Sequence, residues 1–510
     1  MLFRSSTTIF ILSLLTLILG LGVQIGLAAT LGTGREMDAF LVAITLPTLL
    51  ATVSVVACSS ALVPYFKEQF DAGDPIRSAR ISIKLFALFF VISLAASSAA
   101  FLIAEPFVRF SAPGLDPSTA RLAAGLLRIM ILGSFFDIQR GLLTAFFYSQ
   151  EIFFLPQFVP IINQAFLLLG LLFLFHPEGL YGLAWAWTGG SLIMFLLLAI
   201  RFLRRVGFQF SRQAFSIPLE NAWALFLPAV IVVILQQTSP LLDRLAASLL
   251  PSGAISYLGY ASKIPEIMLR TIPMAIVLAA FPRQSRQAVE KDFPALCDLA
   301  IRNIRWILLF TIPLSLFVYV MRQPLIVILF QRGNFDSSST AAVSEVLGWY
   351  AFAFIPASVL YLLINLGFTV QRPWVIARLT LLGLGATLVL NLSLSRILGP
   401  LGIAVSYLIT SYLLVAGFLV WFGITMRLPL LLPDIEWLGK TVLAAVLGLV
   451  TMIGLGYLLP ASTMDFIGSA LRILLTGTLG TAVYCLLLYA TGQSEIRDAM
   501  KKIRNSFSIP

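Results

Sequence analysis

Lys263, Glu266 and Arg270 interrupt an apolar run over 255–281 at i, i+3 and i+7, with Tyr260 one turn earlier. On a helix that spacing puts the three charges on one face. The face nets one positive charge and suits an anionic group such as a phosphate, held by charge-assisted hydrogen bonds, with Tyr260 as a further contact. The competing reading is a self-neutralised Lys-Glu-Arg ladder packed against a neighbouring helix. A charge at mid-membrane costs roughly 2.5–3.5 kcal/mol on insertion scales, so each needs a partner, water or a function. Asp137 and Arg140, preceded by Arg128, form a second i, i+3 set in the run over 121–147, and Glu345 lies in the run over 341–370. Asp137, Arg140 and Glu345 are candidate cavity charges. Asp38 opens the run over 37–65. There it either favours the positive end of its own helix or gates the outward mouth by pairing with a cation. Pro47 and Pro265 free backbone carbonyls and permit the bending a gate needs, or are packing kinks.

Covalent and metal chemistry lack their residues. The chain has no GxxxxGK loop, no HExxH and no histidine to act as base beside a serine or cysteine, so no catalytic residue and no metal site is expected. Cys58, Cys297 and Cys485 are far apart, and the one histidine, His176, lies in a His-Pro-Glu-Gly turn that reads as a solvated loop. A metal-dependent transferase acting on a lipid phosphate is an alternative from another class. The scattered, single acids disfavour it.

The elements that must position these charges are membrane spans. Of 510 residues 59% are apolar and 11% charged, with a mean hydropathy of +0.97. Spans of about 20 residues cross a bilayer core of about 30 Å, and the apolar runs supply about fourteen. An all-α polytopic membrane protein follows, with short loops and no room for a globular catalytic or nucleic-acid-binding domain. The run over 7–30 reads as the first span rather than a cleaved leader. A net charge of +11 fits cations retained on the cytoplasmic side rather than a nucleic-acid partner. With the N-terminus inside, that side takes Lys67, Arg77, Arg80, Arg201, Arg204, Arg205, Arg212, Arg283, Arg286, Lys291, Arg497, Lys501, Lys502 and Arg504. The other keeps scattered cations such as Arg35, Arg109, Arg244, Arg332 and Arg396. Both termini are therefore expected in the cytoplasm. Lys84, Arg302 and Arg305 are expected to snorkel to the nearby interface.

A repeat organises the spans. Leu27-Ala28-Ala29-Thr30-Leu31 recurs as Leu245-Ala246-Ala247-Ser248-Leu249, and Ala43, Pro47, Pro64 and Pro106 meet Ala261, Pro265, Pro282 and Pro324 at the same shift of about 218. After a small insertion Gly179, Gly182 and Ala184 meet Gly399, Gly402 and Ala404, shifted by about 220. Each copy holds six spans, an even number, so the repeats are parallel. This geometry belongs to carriers that place a substrate site between two lobes and alternate its exposure. The expected organisation is an N-lobe over 1–206, a C-lobe over 207–426, two extra helices over 427–490 and a cytoplasmic tail over 491–510.

Asp38-Ala39-Phe40-Leu41-Val42-Ala43-Ile44-Thr45-Leu46-Pro47, continuing to Ala61-Leu62-Val63-Pro64, resembles the DAF…LP…L…VP stretch of the MurJ/MviN family. Leu329-Phe330-Gln331-Arg332-Gly333-Asn334-Phe335 is similar to that family's LFxxGxF segment, and Tyr260-Ala261-Ser262-Lys263 to its aromatic-Ala-polar-basic segment. The likeness is collinear over most of the chain. It implies a flippase of the MOP exporter superfamily that carries lipid II, the undecaprenyl-pyrophosphate-linked peptidoglycan precursor, between leaflets of the bacterial inner membrane. It further implies a cationic cavity for the pyrophosphate and a groove near the last two helices for the lipid tail. Asp38 and Lys263 are the residues carried over. The family's first-span arginines and the basic pair after its LPxLL element have no counterpart here: Phe10 to Thr30 holds no cation, and Leu49-Leu50 is followed by Ala51-Thr52.

The partners implied are a polyprenyl-linked glycan lipid, the phospholipid bilayer and envelope-biosynthesis proteins. No cofactor is implied. Coupling to sodium, protons or membrane potential stays open, with Gln236, Thr238 and Asn391 as polar residues in suitable spans. The alternatives are transport of another lipid-linked polysaccharide unit, cation-coupled drug export, and an inactive scaffold in envelope-polysaccharide assembly.

Overall fold

The computed structural model describes residues 2–71, 74–207, 220–426, 434–458, 466–493 and 495. Arg212, Arg497, Lys501, Lys502 and Arg504 lie outside the described residues. Within them there is no strand, and fourteen helices are long and apolar enough to cross a membrane.

The first repeat runs through α1 (Leu2–Leu31), α2 (Arg35–Ala43), α3 (Thr45–Asp71), α4 (Pro75–Leu102), α5 (Ala104–Ser111), α6 (Pro117–Ser149), α7 (Phe154–Leu169) and α8 (Phe175–Val206). The second follows as α9 (Glu220–Gln237), α10 (Ser239–Ser248), α11 (Ala254–Ala261), α12 (Lys263–Val289), α13 (Phe293–Val320), α14 (Arg322–Phe330), α15 (Ser337–Thr369), α16 (Pro373–Leu398) and α17 (Pro400–Met426). Two further spans, α18 (Ile435–Leu458) and α19 (Phe466–Ala490), complete the chain.

The residues that match between the copies match for physical reasons. Pro47 and Pro265 are each the third residue of a helix, α3 and α12, that begins just after a break in its span. The N–H that each proline lacks is the one that would reach the carbonyl of Ala43 or Ala261, the last residue of the helix before the break, so the proline frees that carbonyl where the span is interrupted. Gly179 (φ 57, ψ −139) and Gly399 (φ 60, ψ −140) adopt one left-handed conformation that side chains avoid. Three residues on, a Cβ at Gly182 or Gly402 would lie 2.4 or 2.2 Å from the carbonyl oxygen of Leu174 or Leu394. The copies also share N-caps: Asp74 and Asp292 accept from Arg77 N and Ala295 N, Asp116 and Asp336 from Thr119 N and Ser339 N.

The Asp116 and Asp336 caps carry a pH dependence. Hydrogen bonds from Ser118 and Thr119 hold the Asp116 carboxyl below its usual range. A depressed folded pKa contributes stability above the unfolded value, about 3.9, that is lost as pH falls toward the folded one. Asp116→Ala is expected to cost about 1 kcal/mol at pH 7. The gap in thermal stability between it and the parent should narrow as the pH drops below about 4; a gap constant to pH 3 would show that the cap does not act through its charge.

Contacts divide the described chain into Met1–Ser256 and Tyr257–Pro510. The sequence repeat and this division differ because α9 packs along α3 and α10 against α5. In the first unit α6 is central, with α3, α4 and α8 against it. Phe146 meets Phe66 and Phe202 edge-on at 5.7 and 4.7 Å. In the second, α15 takes that place among α12, α13 and α17. Lipid is as apolar as leucine, so close packing and hydrogen bonds hold such helices together.

The last two spans are tied to α13. Tyr484 donates to the Leu309 carbonyl at 2.8 Å. Arg305 bonds Asp434 and Glu495, Trp437 Nε1 donates to Glu495 Oε2 at 3.1 Å, and Gln493 bonds the Trp437 carbonyl and Thr441. Arg305 clamps two acids that the sequence places far away, both next to the ends of membrane helices.

Candidate functional site

Asp38 is 2% exposed. Its carboxylate receives the backbone N–H of Gly253 at 2.7 Å and of Ser256 at 2.8 Å. It therefore caps the start of α11, where unpaired N–H groups and the helix dipole favour an anion. The expectation of a cationic partner, or of a role on its own helix alone, is corrected: the partner is the backbone of another helix. Ser256 is also the residue 218 positions after Asp38, its counterpart in the second copy. Two neighbours reinforce the contact. Arg244 donates to the Thr45 hydroxyl, and Gly114 N donates to Ser248 Oγ at 3.2 Å. A Cβ at Gly114 would lie 2.1 Å from the Ser248 carbonyl oxygen, so only glycine fits. A recess of about 200 Å³ beside them is lined by Arg35, Asp38, Gly114, Asp116, Ser248 and Ser252, among others.

The charged face of the second unit lies on α12. Glu266 accepts from Lys263 Nζ at 3.3 Å and from Arg270 Nη2 at 2.9 Å. The ladder forms, yet it is not packed away: the side chains are 31%, 42% and 69% exposed for Lys263, Glu266 and Arg270. One acid between two bases leaves the face one unit positive and open. Tyr260 does not share it. The break at Ser262 separates α11 from α12, and Tyr260, with no exposed surface, packs on Phe330 at 5.1 Å and Phe335 at 5.3 Å. Its expected substrate contact is thereby corrected to a core role. The same rings account for the two phenylalanines of the LFQRGNF segment.

Asp137 and Arg140 form an ion pair at 2.9 Å, with Ser191 Oγ donating to the second carboxylate oxygen at 2.9 Å. Glu345 is exposed on α15 and makes no ion pair among the described residues. No cluster of three metal-ligating side chains occurs among the described residues. Sequence reasoning missed Gly253, Ser256 and Gly114, whose signals are backbone N–H groups and a close approach rather than side-chain chemistry.

Known proteins resemble this chain. The model of the family "Lipid II flippase MurJ" matches residues 27–476. A "Probable lipid II flippase MurJ" of Rhizobium meliloti (strain 1021) is 27% identical over 421 residues, covering 78% of this chain and 76% of that protein. Among solved structures, a lipid II flippase MurJ in an inward closed conformation matches with a TM-score of 0.81 at 20% identity, over 96% of this chain and 99% of that one. An inward-facing multidrug resistance MATE family transporter of the MOP superfamily matches at 0.61 and 13% identity, over 81% and 94%. The two structural matches speak to the fold, a multi-pass helical bundle. The family model reaches from the end of the first span into the last, and on that match the chain belongs to the lipid II flippase MurJ family.

Proposed function

We propose that this protein moves lipid II, a polyprenyl-pyrophosphate-linked glycan, from the inner to the outer leaflet of a bacterial inner membrane by alternating access. The observation that carries the reading is the open, net-positive Lys263-Glu266-Arg270 face on a membrane helix. A diphosphate is the part of such a lipid that cannot cross hydrocarbon unaided. Lys263 and Arg270 bind it and Glu266 orients them, while the Asp38 contact closes the outward side. A cationic face repels organic cations, which disfavours drug export. The protein acts as a transporter and not as an enzyme, with both termini in the cytoplasm. Lys67, Arg77, Arg80, Arg201, Arg204, Arg205, Arg283, Arg286 and Lys291 support that orientation, since all lie at or near helix ends of one parity. Sodium, protons or membrane potential supply the drive. The partners are lipid II, the bilayer and envelope-biosynthesis proteins.

Complementation tests the proposal. A bacterium depleted of its resident lipid II flippase and expressing this chain is expected to grow and to deliver lipid II to the outer leaflet. A well-expressed, inserted protein that restores neither would overturn the assignment.

A further inference from the structure

We propose that Arg140 is a second phosphate ligand of this transporter, in the first unit, with Asp137 and Ser191 as the groups that aim it. The inference rests on the lipid II reading above.

The first span holds no lysine or arginine between Phe10 and Thr30, whereas Arg140 stands on α6, the central helix of the same unit. Arg140 is well placed chemically. Its side chain is 13% exposed, and among the described residues only Nε is engaged, by Asp137 Oδ1 at 2.9 Å. The terminal nitrogens donate to no group of the described residues, yet they are not among the sealed, unpartnered atoms. They therefore reach accessible space. Asp137 is the reverse case. Its side chain is 2% exposed, and both carboxylate oxygens are used, one by Arg140 and one by Ser191. The pair is neutral as a whole but polarised, with its acid sealed and its base open.

The free Nη1–Nη2 edge of a guanidinium is the fork that meets two oxygens of a phosphate. A buried pair adds little to stability, because desolvation offsets its attraction, so stability alone does not explain why the base is left half-satisfied. Asp137 also weakens the grip of Arg140 on an anion, and a carrier needs that, since it must release what it binds.

The test compares Arg140→Gln, Asp137→Asn and the double variant, as full-length protein in nanodiscs, with lipid II as the binding probe and thermal unfolding as the check on folding. Arg140→Gln removes a charge-assisted contact and is expected to weaken binding about ten- to a hundredfold. Asp137→Asn keeps the cation and removes the acid behind it, so binding is expected to tighten several-fold while transport slows. The double variant should bind as poorly as Arg140→Gln. A structural ion pair gives the opposite pattern: both single variants lose stability and binding together, and the double variant, with neither charge left alone, regains both. That pattern overturns the proposal. Should Asp137→Asn fail to fold, the double variant decides alone. In a parallel arm with phosphatidylglycerol, Arg140-dependent binding of that lipid alongside unchanged lipid II affinity would assign the site to bilayer phosphate and sink the substrate role. Wild-type protein that binds no lipid II fails the transport reading itself, whereas a double variant that binds like wild type fails only this one.

Discussion

Replacing both Lys263 and Arg270 with alanine is expected to abolish lipid II flipping in proteoliposomes while leaving the protein inserted and folded. Each base donates to Glu266, so removing both leaves Glu266 alone and turns the face from one unit positive to one unit negative. Two charge-assisted contacts to a phosphate, at about 1.5–3 kcal/mol each, correspond to a loss of roughly a hundred- to ten-thousandfold in affinity. Stability should change little, because exposed ion pairs of this kind contribute about 0–1 kcal/mol. Adding Glu266→Gln to the double variant removes the repulsion without restoring the ligands, and flipping should stay low. A double variant that transports at the parental rate would remove Lys263 and Arg270 from the substrate path.

The second large effect is expected from Asp38→Asn. The carboxylate offers two oxygens to two backbone donors. An amide offers one oxygen and points its own N–H groups at the other donor, leaving a buried N–H unmet. Hydrogen bonds to a charged group are worth about 1.5–3 kcal/mol each, and the loss falls only on the conformation in which Asp38 meets α11. A shift of about 3 kcal/mol moves a two-state population more than a hundredfold. Flipping should fall sharply, since the outward side no longer recloses. Ser252 lines the adjacent recess and gives a direct readout. In a chain whose Cys58, Cys297 and Cys485 are replaced by alanine, a cysteine at position 252 should react faster with a membrane-impermeant thiol reagent when Asp38 is asparagine. Equal labelling and equal transport would show that the contact is not a gate.

The spans and the repeat were legible because length, apolarity and constant spacing are properties of the chain itself. The Lys263-Glu266-Arg270 face was legible for the same reason: a helix converts i, i+3 and i+7 into proximity without help from tertiary structure. Tyr260 was misread because its register was continued across Ser262, where the helix breaks, and a break changes which face follows. Asp38 drew attention as an acid at a span start, but its partners are N–H groups of Gly253 and Ser256, which every residue but proline carries. No side-chain pattern reveals them. Only the repeat hinted at Ser256. The acids that hold Arg305 were hidden for a related reason, lying 129 and 190 residues away.

That last separation has a consequence for biogenesis. Arg305 enters the membrane with α13 before either acid that neutralises it has been synthesised. At about 5–20 residues per second, Asp434 follows on the order of 6–26 s later and Glu495 on the order of 10–40 s later. Through that interval α13 carries a cation whose two acids are not yet present, and they arrive one after the other with the segments that follow. Asp434 arrives first and fastens α13 to the start of α18, and Tyr484 and then Glu495 add the contacts of the segments that follow.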